Sequence, residues 1–211
     1  MDAHDEARSG NLNVALDYSV LDHLQRIETG TYRGLHRSAL ERLRDAASAG
    51  RIVVWISEIC YVEMLHGIEH LPHDAAKRRD AEQKDAKKRA IAERMGARIL
   101  GYPCSKFDDT YSRWDLSFRF AGPDSESASA LEERLEALRG ISRGDARHLV
   151  SCAYPFDGDA AEYHPRLDWF VSEDHDLLEA VTSEIHQGRL PELADIRFGT
   201  SEDFAASNVD L

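Results

Sequence analysis

The sequence predicts an α/β fold, an α/β/α sandwich with a mainly parallel central sheet. Short apolar runs alternate with longer stretches whose apolar residues recur at helical spacing along most of the 211 residues. One run, residues 51–56 (RIVVWI), is apolar almost throughout, which is typical of a parallel strand covered on both faces. Strands that alternate with helices favour this architecture, and the length suits one domain with a sizeable insertion.

The first half of the chain predicts two strands, each followed by helix. Residues 12–17 (LNVALD) form the first strand, 19–29 a short helix and 34–48 a longer amphipathic helix. The apolar stripe of that longer helix comprises Leu35, Ala39, Leu40 and Leu43. After the strand at 51–56, Ser57 is well placed to cap the next helix.

A strongly charged helical stretch occupies residues 72–98. It holds nine basic and five acidic residues, a net charge of +4 in a chain whose total charge is −13. Such a helix is read either as a solvated face or as a surface that approaches a phosphate backbone, and both readings can hold at once. We interpret about 72–135 as a charged helical insertion in a domain spanning 12–205, with a disordered leader at 1–11 and a tail at 206–211.

The second half continues the alternation. Ile99 and Leu100 indicate a short strand, and Leu131, Leu135 and Leu138 mark the buried stripe of a later helix. The remaining predicted elements are a helix at 143–154, a strand at 167–172, a helix at 175–187 and a strand at 194–198.

Acidic residues lie beside these buried segments at four places along the chain. They are Asp17, Glu63, Asp145, and the pair Asp174 and Asp176. A carboxylate next to an apolar strand is costly unless something positive compensates it. In parallel sheets the ligand site lies beyond the carboxyl ends of the strands, so these side chains are expected to face one crevice. Oxygen ligands of this kind suit Mg²⁺ or Mn²⁺.

Each acid also has a structural interpretation. Asp17 and Asp174 are each suited to capping the helix that follows, and Ser142 with Asp145 fits a capping box. Two histidines, His148 and His175, flank the acids in sequence, and each is open to a surface or packing role, to contact with RNA, or to proton transfer.

Composition narrows the class of protein. The net charge of −13 argues against a protein that coats nucleic acid nonspecifically. It does not argue against a nuclease, because acids at a metal site contribute to this negative charge while the bound metal reverses the local field. The three cysteines show no zinc spacing and predict reduced thiols in a cytoplasmic protein. The sequence contains no secretory signal and no apolar run of membrane-spanning length.

Taken together, the motifs resemble those of the PIN-domain nucleases, which include the VapC-like toxins of toxin–antitoxin pairs. The first is Asp17 with Ser19, and the second is Ser57 followed by Glu63 and Gly67. The third is Asp145-Ala146, and the fourth is 171–176 (VSEDHD). The close of the chain, 196–204, resembles the last strand and end of that family, so the resemblance covers about 12–205.

The resemblance implies an endoribonuclease that depends on Mg²⁺ or Mn²⁺. Asp17, Glu63, Asp145 and Asp174 would be its catalytic acids and metal ligands, with Asp176 as an outer ligand. Ser19 and Ser172 would position carboxylates or contact phosphate. RNA would be the substrate, a homodimer is expected, and a protein antitoxin is a further partner if the chain acts as a toxin.

Two alternatives come from other classes. A haloacid-dehalogenase-type phosphatase needs a second Asp two residues after the first, where this chain has Ser19. A PIN-fold module that binds nucleic acid or protein without catalysis is the stronger alternative, although the presence of all the acids counts against it.

Overall fold

The computed structural model describes residues 11–60, 75–101, 125–157, 162–163 and 166–209. Within these ranges the strands are β1 Leu12–Leu16, β2 Ile52–Ser57, β3 Arg98–Leu100, β4 Phe156–Asp157, β5 Glu162–Tyr163, β6 Trp169–Val171 and β7 Arg197–Gly199. They form one sheet in the order β5-β4-β3-β2-β1-β6-β7. Five adjacent strands are parallel, namely β3, β2, β1, β6 and β7. The short strands β4 and β5 add an antiparallel edge beside β3.

Helices cover both faces of the sheet. They are α1 Tyr18–Glu28, α2 Arg37–Ser48, α3 Ala75–Arg94, α4 Ser125–Glu136, α5 Arg143–Ala153, α6 His175–His186 and α7 Ser201–Ser207, with a 3₁₀ turn at Pro191–Leu193. The predicted α/β/α sandwich with a mainly parallel sheet is therefore confirmed. None of the described helices is both long and apolar enough to cross a bilayer.

Side chains that alternate along each strand divide the core into two layers. Val14 and Leu16 of β1 pack on the side of α1, α2, α3 and α7, whereas Ala15 packs on the side of α4, α5 and α6. Phe170 of β6 packs with Ala15, and its neighbour Val171 packs with Leu16. This alternation follows from the two-residue period of a strand, and it explains why both faces of the central strands are apolar.

The chain order places a crevice at the ends of β1 and β6. The chain runs outward from β1 to β2 and β3, then returns to the other side of β1 to form β6 and β7. Connections that leave two adjacent strands in opposite directions open a space at their carboxyl ends. The backbone N–H of Asp17 donates to the Val171 carbonyl at 3.0 Å, which joins the two strand ends at that point.

Two predicted boundaries are wrong. Helix α2 begins at Arg37 rather than at 34, and Leu35 is 96% exposed instead of lying on the buried stripe. The segment before α2 folds around the buried Tyr32, whose ring lies directly against Gly34, so helical spacing does not apply there. The last strand begins at Arg197 rather than at 194, because residues 194–196 form a turn and a bend after the 3₁₀ turn at Pro191–Leu193.

Parts of the stretch predicted as an insertion belong to the core. Strand β3 pairs with β2, and Ile91 on α3 is fully buried among residues of α1 and α2. Leu131 and Leu135 of α4 are fully buried on the opposite face. Residues 1–10, which include most of the predicted leader, and the last two residues of the tail lie outside the described residues.

Candidate active site

Asp17 lies at the centre of the crevice, between the end of β1 and the start of α1. It is the N-cap of α1, and its carboxylate accepts a hydrogen bond from the Ser19 backbone N–H at 3.2 Å. Only 6% of the residue is exposed. A buried carboxylate needs several hydrogen bonds to remain ionised at acceptable cost, and the neighbouring residues supply them.

Two serine hydroxyls donate to the same Asp17 oxygen. Ser19 Oγ and Ser172 Oγ both donate to Oδ2, the second at 2.9 Å. Each serine oxygen is also fixed by a backbone N–H, Ser19 by Glu173 at 2.9 Å and Ser172 by Asp174 at 3.0 Å. The serines therefore hold one Asp17 oxygen and connect it to the loop after β6, as the sequence prediction of a positioning role requires.

The other Asp17 oxygen faces a buried histidine. His148 on α5 is 4% exposed, and its Nδ1 lies 3.5 Å from Asp17 Oδ1. Its ring packs edge-on against Phe170, with the ring centroids 5.2 Å apart. Its Nε2 is buried and has no hydrogen-bond partner among the described residues. His148 therefore both packs in the core and contacts Asp17, whereas His175 is exposed.

Asp145 and Asp174 open two further helices at the same place. Asp145 forms the predicted capping box, in which its Oδ2 accepts from the Ser142 N–H at 3.0 Å. Asp174 is the N-cap of α6, and its Oδ1 accepts from the Leu177 N–H at 3.1 Å. Each cap uses one carboxylate oxygen, and no described residue donates to Asp145 Oδ1 or Asp174 Oδ2. Capping and ligand binding are therefore compatible in both residues.

These three aspartates line one pocket of about 190 Å³. Its other described walls are Tyr18, Ser19, Ile59, Cys60, Ser142, Gly144 and His148. Three helix N-termini meet there, and their partial positive charge stabilises the carboxylates. The sequence motifs assign no role to Tyr18 or Cys60. Tyr18 directly follows Asp17 at a strand-to-helix junction, and that adjacency was the available signal.

Of the other two predicted site residues, Asp176 lines a different groove, and Glu63 is not among the described residues. Asp176 lines a separate groove with Arg139 and Glu179, on the other side of the α6 terminus. Glu63 lies outside the described residues, as does Gly67 of the same motif. The described helical residues 58–60 begin the helix expected to carry Glu63, and Cys60 N–H donates to Ser57 Oγ at 3.0 Å, so the predicted serine cap is confirmed.

The carboxylates of the pocket are the ligand type that a hard divalent cation prefers, but the described side chains are not close enough together to hold one. Carboxylate oxygens on three elements face a small polar pocket, which is the ligand type that Mg²⁺ and Mn²⁺ take. Within the described ranges, however, no group of three or more His, Cys, Asp or Glu side chains is positioned to hold a metal ion.

The pKa of Asp17 is lowered although two other aspartates line the same pocket. Burial by itself raises its pKa, but the hydrogen bond and charge of His148, with the hydroxyls of Ser19 and Ser172, lower it from 3.8 to about 2. The pKa is lowered because the nearest groups to this carboxylate are hydrogen-bond donors rather than other acids.

A pH-dependent stability difference follows from this lowered pKa. Because the folded-state value lies below the ordinary one, the ionised Asp17 stabilises the fold above about pH 4, and this contribution of about 2 kcal/mol is lost as the pH falls toward 2. We expect the stability advantage of the wild type over Asp17→Asn to shrink across that window in urea unfolding with EDTA. A difference independent of pH from 5 to 2 would contradict the ionised, buried state of Asp17.

Comparisons of the chain with known protein families, with curated proteins and with solved structures gave no match.

Proposed function

We propose that the chain is a metal-dependent nuclease of the PIN type that hydrolyses phosphodiester bonds in RNA. The observation that carries the proposal is the meeting of Asp17, Asp145 and Asp174 in one pocket at the carboxyl ends of β1 and β6. These acids come from distant parts of the sequence and lie where parallel α/β sheets bind ligands. Helix capping alone does not require three helices to begin around one pocket.

Asp17, Asp145 and Asp174, with Glu63 as the fourth acid, would hold Mg²⁺ or Mn²⁺. The ion would supply an activated water and neutralise charge on the scissile phosphate. Ser19 and Ser172 fix one oxygen of Asp17, which leaves Oδ1 directed toward His148. The residues that surround Asp17 thus determine its orientation before any ligand arrives, and such preorganisation lowers the cost of binding.

The family resemblance adds two predictions to this proposal: the chain acts as a toxin that a protein antitoxin binds, and it forms a homodimer. Both features are predictions that depend on the nuclease assignment, and cleavage can be tested without either partner.

One observation favours a second function, a binding module without catalysis. Every aspartate of the pocket caps a helix, and the described residues contain no three-ligand metal group. A module of this kind would keep the carboxylates for capping alone and would bind nucleic acid or protein elsewhere.

Cleavage of a mixed RNA pool with Mg²⁺ or Mn²⁺ separates the two functions. We expect Asp145→Asn to lower the cleavage rate at least about 100-fold, because one ligand charge is lost. Its amide oxygen can still accept from the Ser142 N–H, so α5 should remain capped. Asp176→Asn is the matched control, since it makes the same change in the separate groove. Equal rates in all three proteins, or cleavage that survives EDTA, would overturn the nuclease proposal.

A further inference from the structure

Tyr18 forms an aromatic wall of the pocket that holds the aspartates. It directly follows Asp17, lies at the start of α1 and is half-buried. His148, the other ring among the described lining residues, is 4% exposed and packs against Phe170. Tyr18 is therefore the less buried of the two aromatic side chains among the described lining residues.

A buried lysine lies over the ring of Tyr18 and donates a hydrogen bond to its hydroxyl. Lys88 on α3 donates to Tyr18 Oη, and its ammonium lies 4.2 Å from the ring centroid. The Lys88 side chain is only 4% exposed, and its Nζ contacts Asp22 Oδ1 at 3.1 Å and Asp85 Oδ1 at 3.4 Å. The ring also packs against the core on the α1 side of the sheet. Contacts on two sides thus fix the orientation of the ring.

These contacts limit what the Tyr18 and Lys88 side chains can do. The buried ammonium already has three oxygen partners, so it is not placed to bind a phosphate of the substrate. The Tyr18 hydroxyl accepts from Lys88, and burial raises the pKa of Tyr18, which disfavours proton transfer at neutral pH. Because Lys88 covers one face of the ring, the part of Tyr18 that remains for a ligand is the opposite face.

We infer that Tyr18 is a stacking surface for a nucleobase of single-stranded RNA next to the scissile phosphate. The inference rests on the proposed nuclease function and names how that site takes its substrate. A rigid aromatic ring beside carboxylates that bind metal suits a nucleotide, whose phosphate and base lie side by side. Stacking on tyrosine tolerates any base, because every base has a π-face.

The test is binding of short single-stranded RNA that carries 2-aminopurine, whose fluorescence falls when it stacks. With EDTA and low salt, no metal-dependent cleavage competes with the measurement. We expect Tyr18→Leu to weaken binding about tenfold and to abolish the quenching, the effect of losing one stacked base. Tyr18→Phe keeps the ring, so its affinity should stay within about twofold of the wild type. An oligonucleotide with an abasic site should bind the wild type and Tyr18→Leu equally.

Three results would overturn the inference. One is unchanged affinity and quenching in Tyr18→Leu, and another is equal binding of abasic and intact oligonucleotides by the wild type, a measurement that needs no variant. Neither affects the loss of cleavage in Asp145→Asn, so stacking can fail while the nuclease function stands. Loss of binding in Tyr18→Phe equal to that in Tyr18→Leu would also contradict stacking, because the hydroxyl would then be the important group.

Discussion

Replacement of Lys88 with methionine is expected to lower the free energy of unfolding by about 3–5 kcal/mol at pH 7, the usual cost of removing one partner from a buried ion pair. Hydrogen bonds to Tyr18 and Asp22 outweigh the effect of burial and raise the pKa of Lys88, so it is charged at that pH. Without its ammonium, Asp85, with 6% of its side chain exposed, loses a cation in a site that water hardly reaches. Asp22 retains Arg26 at 2.7 Å and should suffer less.

Urea unfolding can isolate this effect with a control on the same helix. Lys84→Met removes an exposed lysine that pairs with Asp80 at 2.7 Å, and it should cost no more than about 1 kcal/mol. Combining Lys88→Met with Asp85→Leu should recover most of the loss, because both charges are then replaced by apolar groups. A cost for Lys88→Met no larger than that for Lys84→Met would show that the buried contacts contribute little.

The Lys88 contacts illustrate what the sequence of α3 does not reveal. In residues 72–98, charged residues are spread around the helix so evenly that every face resembles a solvated one. The exposed Lys84 fits that prediction, but Lys88 and Asp85 lie on the buried face beside Ile91. The partners that make this burial acceptable, Tyr18 and Asp22, are about 70 positions away in the chain. Tertiary packing, rather than helical periodicity, selects the buried lysine.

The location of the site was predictable because it depends on strand order. Asp17 and Asp174 follow the apolar runs that become β1 and β6, and the carboxyl ends of adjacent parallel strands meet at one edge. Asp176 shows the limit of this reasoning. Two residues beyond the cap of α6, its side chain is rotated by about 200° around the helix axis, which directs it to a different groove. The sequence motif treats both aspartates alike, whereas helix geometry separates them.

Addition of Mg²⁺ should raise the melting temperature of the wild type but not that of Asp17→Asn. A ligand at 100 times its Kd stabilises the folded state by about 2.7 kcal/mol, which corresponds to about 5–10 °C for a chain of this length. Asp17 is the most buried of the three pocket aspartates and the one with the most hydrogen bonds, so its charge should matter most for binding. Metal-dependent cleavage should fall at least about 1,000-fold in the same variant.

Asparagine is the right substitution because it changes the charge with little change in shape. Its amide oxygen can still accept from the Ser19 backbone N–H, so α1 should remain capped, and from the hydroxyls of Ser19 and Ser172, so the pocket should stay intact. Asp176→Asn serves again as the control and should keep the full Mg²⁺ response. The melting temperature reports binding alone and needs no knowledge of the RNA target. If Mg²⁺ stabilises neither the wild type nor the variant, the aspartates serve only as helix caps, and the binding module becomes the better account of this fold.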